Sequence, residues 1–161
     1  SDNSENSFND WFTIFWKYGG VWNQIIHPIT TDPGTYWRKN PINIDGTAIL
    51  KPGQYKKLWS LGLHQGKYEA LRQTNKCVVY RDNDKDVELE TDGKEYAGLF
   101  GINYHRANAK RTSSQVDKWS AGCQVCPDPQ IFEIEIEIFK QSAKTWGDGL
   151  TYTLIEDKDF K

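Results

Sequence analysis

The sequence predicts an α+β domain with a β-rich core, and three observations carry that expectation. Short apolar runs recur between turn formers: Thr47–Leu50, Leu58–Leu63, Tyr68–Gln73 and Cys77–Arg81 lie among Gly46, Pro52-Gly53, Gly62 and Gly66. Apolar residues at three- and four-residue steps appear instead over Phe8–Tyr18 and Ile131–Trp146. The length of 161 residues suits a single core that needs no disulfide staples.

Taken in order, Ser1–Ser7 is polar and expected to fray. Phe8, Trp11, Phe12, Phe15 and Trp16 make an apolar stripe, so Phe8–Tyr18 reads as an amphipathic accessory helix, capped by Ser7 or Asn9 and ended by Gly19-Gly20. That stripe either packs on its own domain or docks into a larger assembly. Val21–Pro41 holds three prolines and reads as an irregular wrap. Residues 1–41 are thus expected as helix and wrap, and 42–161 as the functional domain. Thr74-Asn75 is a hairpin-like turn between Tyr68–Gln73 and Cys77–Arg81. Gly98–His105 reads as a further strand. Over Ile131–Trp146, alternation with glutamates favours a strand. The shared face of Ile131, Ile134, Ile138 and Phe139, the length, and Pro129 at the start tip the expectation to helix. Leu150–Ile155 closes the domain as a strand.

Composition excludes some partners. The formal charge of -2 and scattered basic residues give no footprint for nucleic acid. No apolar stretch is long enough for a membrane span. The chain has no methionine, so removal of the initiator residue, or of a leader, is expected, and the export route stays open. Aromatic residues make up 14% of the chain, which suits either core packing or a groove for sugar or peptide. Three cysteines, an odd count, leave at least one thiol free or paired elsewhere.

Lys118-Trp119-Ser120-Ala121-Gly122-Cys123-Gln124 is the most specific stretch. A thiol after a glycine in a tight turn presents sulfur and backbone N–H groups together, and such N–H groups stabilise a tetrahedral oxyanion. A cysteine at its free pKa needs a base or a cationic neighbour, and His105, at a predicted strand end, is the candidate. An inert buried cysteine beside an unrelated histidine is the alternative for any lone Cys/His pair.

Gly101-Ile102-Asn103-Tyr104-His105-Arg106, a polar loop, and then Ser120-x-Gly122-Cys123 resemble the active-site signature of the L,D-transpeptidase (YkuD-like) family. Leu50-Lys51-Pro52-Gly53-Gln54-Tyr55, Gly62-Leu63-His64-Gln65-Gly66-Lys67-Tyr68 and Val79-Tyr80-Arg81-Asp82 are similar to a divergent phage and bacterial branch with Trp-Ser-Ala-Gly-Cys-Gln at the nucleophile. The resemblance covers about Ile44 to Ile155. It implies a YkuD-like core, Cys123 as nucleophile and His105 as base. It also implies Ser120 holding the histidine, and an oxyanion hole from the N–H groups of Gly122 and Cys123. Arg106, His64, Tyr104, Trp119 and Gln124 are the expected substrate-binding residues. The implied substrate is the stem peptide of peptidoglycan, met at the cell wall by a periplasmic, secreted or phage-borne protein, with no cofactor. Ala121 departs from the family's second histidine. Gln124-Val125 stands where an apolar residue and an arginine are usual, so donor recognition changes, with Arg106 or Arg111 as substitutes. Loss of that arginine tilts the expectation from L,D-transpeptidase to peptide hydrolase.

The chemistry expected at this stage is a thiolate–imidazolium pair, with the Cys123 pKa lowered and that of His105 raised. A non-catalytic wall-binding or virion module is the rival class. Cys123-Gln124-Val125-Cys126 is also a C-x-x-C, but no second pair completes a zinc site, so no metal is expected. A Cys77–Cys126 disulfide was weighed against Cys126 as a small core residue, and the latter preferred. His27 reads as structural. Asp82-Asn83-Asp84-Lys85-Asp86 alternates carboxylates as calcium loops do, yet Val87 and Gly93 fall where an EF-hand needs glycine and glutamate, so a solvated hairpin tip is preferred.

Overall fold

The computed structural model describes residues 5–160. It is a mixed α+β fold dominated by strands, with ten strands in three sheets. The amino-terminal segment departs from expectation: Asp10–Tyr18 is a strand, β1, paired antiparallel with β2, Val21–Ile29, from Asp10↔Ile29 to Tyr18↔Val21. The expected accessory helix is absent, for a physical reason. Aromatic residues populate both faces of the segment, so they satisfy a 3.6-residue period and a two-residue period alike. Gly19-Gly20 decides between them. Both glycines have positive φ (56° and 84°), which makes the two-residue hairpin turn that matches strand twist. Phe12 and Ile14 point inward and are buried, whereas Trp11, Phe15 and Trp22 stand exposed on the outer face. Of the prolines in the expected wrap, only Pro28 falls within a strand, opposite Trp11. A short helix α1, Thr35–Lys39, follows.

A five-stranded sheet runs in the order β10 (Leu150–Leu154), β4 (Gly53–His64), β5 (Tyr68–Gln73), β8 (Tyr104–Arg106), β9 (Gln124–Cys126). A three-stranded sheet holds β3 (Thr47–Leu50), β6 (Cys77–Asp82) and β7 (Glu95–Gly98). β5 and β6 therefore enter different sheets, and Thr74-Asn75 is a crossing rather than a hairpin. Its N–H groups donate to the Leu58 carbonyl instead of closing a ladder. The expected Gly98–His105 strand is also broken. The Gln73 side-chain oxygen accepts from the N–H groups of both Phe100 and Ile102, each at 2.9 Å, and holds Phe100–Ile102 out of a backbone ladder.

Helix α2, Pro129–Trp146, forms where helix was favoured over strand. Asp128 caps it, its carboxylate accepting from the Gln130 N–H at 2.8 Å, and Pro129 needs no donor at the first position. The face it buries is Phe132, Glu135, Ile136 and Phe139; of the predicted Ile131/Ile134/Ile138/Phe139 stripe, Phe139 is buried and Ile131 packs against the core, whereas Ile134 is exposed. α2 and the hairpin cover the same core. Phe12 stacks on Tyr104 with ring centroids 4.7 Å apart, Tyr104 lies 5.5 Å from Phe132, and Trp59 stacks on Tyr152 at 4.4 Å. Burying each such ring or a leucine such as Leu58 or Leu71 stabilises the fold by roughly 1.5–3 kcal/mol.

Candidate active site

The site is built by strand alternation. Tyr104 points into the core, so His105 points to the other face of the sheet. β9 lies parallel to β8 with His105 opposite Val125, which places Cys123, two residues earlier, on the face of His105. The antiparallel register β4–β5 sets His64 opposite Tyr68 on that same face. His105, His64 and Tyr68, from three strands, thus meet, and the register sets Cys123 on the same face. His105 stacks on His64 (centroids 4.1 Å, planes 25° apart), and the Tyr68 hydroxyl lies 3.4 Å from His105 Nδ1 and 3.2 Å from the Arg106 carbonyl. The Arg106 guanidinium lies over the Tyr68 ring at 4.1 Å.

Tyr68 was not foreseen as a site residue. The only signal for it was its place in the strand run after Gly66-Lys67, where alternation puts it in phase with Ala70.

The loop that presents the thiol is closed on itself. The Ser120 hydroxyl donates to the Cys123 carbonyl at 2.8 Å and accepts from the Gly122 N–H at 3.1 Å. Ser120 therefore shapes the turn before Cys123 rather than holding His105, and the Gly122 N–H is already engaged rather than pointing outward. Gly122 is required twice over. Its φ is +116°, and a Cβ there would lie 2.4 Å from the Ala48 carbonyl oxygen of β3. The segment after β2 holds the other side: Thr30 exchanges backbone hydrogen bonds with Val125, and the Gly34 N–H donates to the Ser120 carbonyl.

The resting protonation states differ from the expected ion pair. The half-buried Cys123 thiol donates to the Gly101 carbonyl at 3.2 Å. Burial pushes its pKa up to about 11, and the Asn103 N–H offsets only part of that. His105 is pushed down to about 4 by burial and by the neighbouring His64. His64 is itself lowered by burial and by the charges of Arg72 and Lys67. At neutral pH the pair is thiol and neutral imidazole. His105 Nδ1 lies 2.9 Å from the Arg106 carbonyl, which assigns the proton to Nδ1 and leaves the Nε2 lone pair as the acceptor.

Two expected substrate-binding residues are in the core instead. Tyr104 is fully buried, its hydroxyl donating to the Glu135 carboxylate. Gln124 is also fully buried, accepting from Tyr152 at 2.9 Å and donating to the Thr31 carbonyl at 3.3 Å. Both sit on strand positions that alternate inward. Arg106, His64 and the exposed Trp119 remain accessible to a ligand.

All three cysteines are free, so the Cys77–Cys126 bridge is not made. Cys126 has the opposite parity to Cys123 and faces the core, 3.9 Å from His27 Nδ1, so the C-x-x-C does not act as a dithiol. His27, Cys126 and Glu135 bring ligand-type atoms within 4.8 Å of one another. Their donors are engaged with each other, however. His27 Nε2 meets Glu135 at 2.7 Å, and His27 is held as an imidazolium with its pKa raised to about 10 by Cys126 and Glu135 against the cost of burial. A cavity of about 650 Å³ is lined by Trp11, Phe15, Trp59, Phe139 and Tyr152 and contains none of Cys123, His105 or His64.

No family model, no curated protein and no solved structure matches this chain.

Proposed function

We propose that the protein is a cysteine-nucleophile enzyme acting on peptidoglycan stem peptides at the cell wall, through an acyl-thioester at Cys123 and with water as the favoured acceptor. The observation that supports this reading is the convergence of Cys123, His105, His64 and Tyr68 on one sheet face. Of the three cysteines, only Cys123 is not fully buried.

In this reading the thiol swings from the Gly101 carbonyl to His105. Nε2 takes its proton as sulfur attacks the substrate carbonyl carbon, and later returns that proton to the leaving amine. Water then attacks the thioester and releases the acid. An amine in place of water gives the L,D-transpeptidase outcome. The oxyanion is met by the Cys123 N–H, since the Gly122 N–H is engaged with Ser120. Arg106 and Trp119 flank the cleft for the peptide. The exposed outer face of the hairpin, with Trp11, Phe15 and Trp22, is the surface for docking into a larger assembly.

A second reading, a wall-binding or virion module without chemistry, is favoured by one observation: the thiol is protonated and bound to a carbonyl at rest. Mass spectrometry of muropeptides incubated with the wild type and with Cys123→Ala separates these readings. Cleaved products from the wild type alone support the hydrolase and exchanged cross-links the transferase, whereas unchanged muropeptides in both samples leave the binding module.

A further inference from the structure

We propose that Asp82, Asp84 and Glu90 form a calcium site that fixes the loop between β6 and β7. Asp82 ends β6 and is only 1% exposed, yet neither of its carboxylate oxygens accepts a well-formed hydrogen bond from any described group; the Asp84 N–H and the Arg38 guanidinium come near it without closing one. No lysine or arginine among the described residues forms an ion pair with it; the nearby Arg38 donates instead to the Pro33 and Val87 carbonyls. A buried carboxylate without partners is strongly disfavoured unless a cation or a proton neutralises it.

The surroundings point to a cation. One oxygen each from Asp82, Asp84 and Glu90 lie within 4.8 Å of one another. Oxygens bound to one calcium ion at 2.3–2.6 Å are separated by at most about 5 Å, so the cluster already has the span of such a shell.

The backbone curls around this cluster through side-chain-to-backbone turns: Asp84 accepts from the Asp86 N–H at 3.1 Å, and Asp86 from the Glu88 N–H at 2.7 Å. An all-oxygen set of three carboxylates suits calcium over softer metals. A flexible loop suits it over magnesium, which demands a stricter octahedron. The loop has no EF-hand geometry, because Val87 stands where that loop needs its glycine. The decisive feature is the sealed, unpartnered Asp82, which sequence spacing alone does not reveal.

The experiment is calorimetric titration of calcium chloride into the full chain, with thermal melts alongside. Saturable binding is expected at roughly 10⁻⁴–10⁻³ M, the range of extracellular sites. At about five times the dissociation constant the melting midpoint should rise by about 2–4 °C. Asp84→Asn with Glu90→Gln, both exposed and safe for folding, should weaken binding at least ~10-fold as two ligand charges are lost. Asp82→Asn should raise the midpoint of the calcium-free protein, by relieving the lone buried charge, while erasing the calcium response. The proposal is overturned by absence of saturable binding in the wild type, by wild-type affinity in the double variant, or by tighter binding of magnesium chloride than of calcium chloride.

Discussion

Two cysteines three residues apart, one just before β9 and one at its end, face opposite ways. Cys126 points into the core beside His27, whose ring is paired with the buried Glu135 carboxylate. Cys123 lies on the other face, that of His105, whose ring stacks on a second histidine with no carboxylate at hand. Burial acts on both histidines in the same direction, against the charged form. Hydrogen bonding to Cys126 and to the Glu135 carboxylate reverses the outcome at His27, which stays a cation to about pH 10. At His105 nothing reverses it, and the ring stays neutral down to about pH 4. The same pair of residue types therefore gives a fixed structural ion pair on one face and a proton acceptor on the other. Packing alone would not have told them apart; the third residue does.

The largest effect expected from this contrast is on turnover. Cys123→Ala should lower muropeptide cleavage at least ~10³-fold, while Cys126→Ala and Cys77→Ala leave turnover per folded molecule close to the wild type. Equal loss from Cys126→Ala would erase the distinction between the two faces. Next, His105→Gln should cost ~10²–10⁴ in kcat/KM, the usual worth of a general base. With imidazole neutral and thiol protonated, the wild-type profile should rise as pH passes about 4 and then stay level toward about 11, where the thiol ionises. A bell centred near neutrality would instead restore a thiolate–imidazolium pair. His64→Gln is the milder control.

On the core face, Glu135→Ala leaves His27 and the Tyr104 hydroxyl without their partner and should destabilise the fold by ~3–5 kcal/mol. Urea unfolding measures this, and the rate of Cys123 alkylation should not follow it. The smallest effect is the pH dependence of stability. His27 has a folded pKa above its unfolded value of 6.5, so its contribution is complete below pH 6.5 and is lost as pH rises toward 10. His105 is depressed, so its contribution is complete above pH 6.5 and is lost as pH falls toward 4. Asp32, raised to about 6 by burial and by Asp10, works against His105 on the acid side. The test is therefore the difference between each variant and the wild type: His105→Gln should remove the acid-side loss and His27→Gln the alkaline-side loss. Interchanged limbs would mean that the two environments have been misassigned.

The elements legible in the sequence were those with one period and clear punctuation. β3, β5, β6 and β10 were placed within a residue or so, and α2 was correctly preferred as a helix over a strand. β1 was misread because its rings occupy both faces, and the turn that settles its identity depends on the φ of Gly19 and Gly20. Strand partners were illegible where a side chain took over the backbone's role, as Gln73 does for Phe100 and Ile102. At the candidate site, the parallel register of β8 and β9 sets Cys123 on the sheet face of His105, a placement that the loop length between them allows but does not fix. The inward positions of Tyr104 and Gln124 could have been read from strand alternation, since each is one residue out of phase with its neighbour. The protonation states could not: they depend on His64 stacking and on burial, both set by distant segments.

The placement of β9 bears on how the chain comes together. Only three residues long, it is held between β8 on one side and Thr30 on the other, partners separated from it by a polar loop and by most of the preceding chain. Neither contact is local, so each must overcome loop-closure entropy before it contributes. During synthesis the segment carrying Cys123 leaves the ribosome before α2 and β10, which complete the core behind it. A nascent or partly folded chain therefore exposes an ordinary thiol in an unstructured loop. The arrangement around His105 forms only once β8 and the Thr30 segment have both met β9, which ties it to long-range docking rather than to local structure.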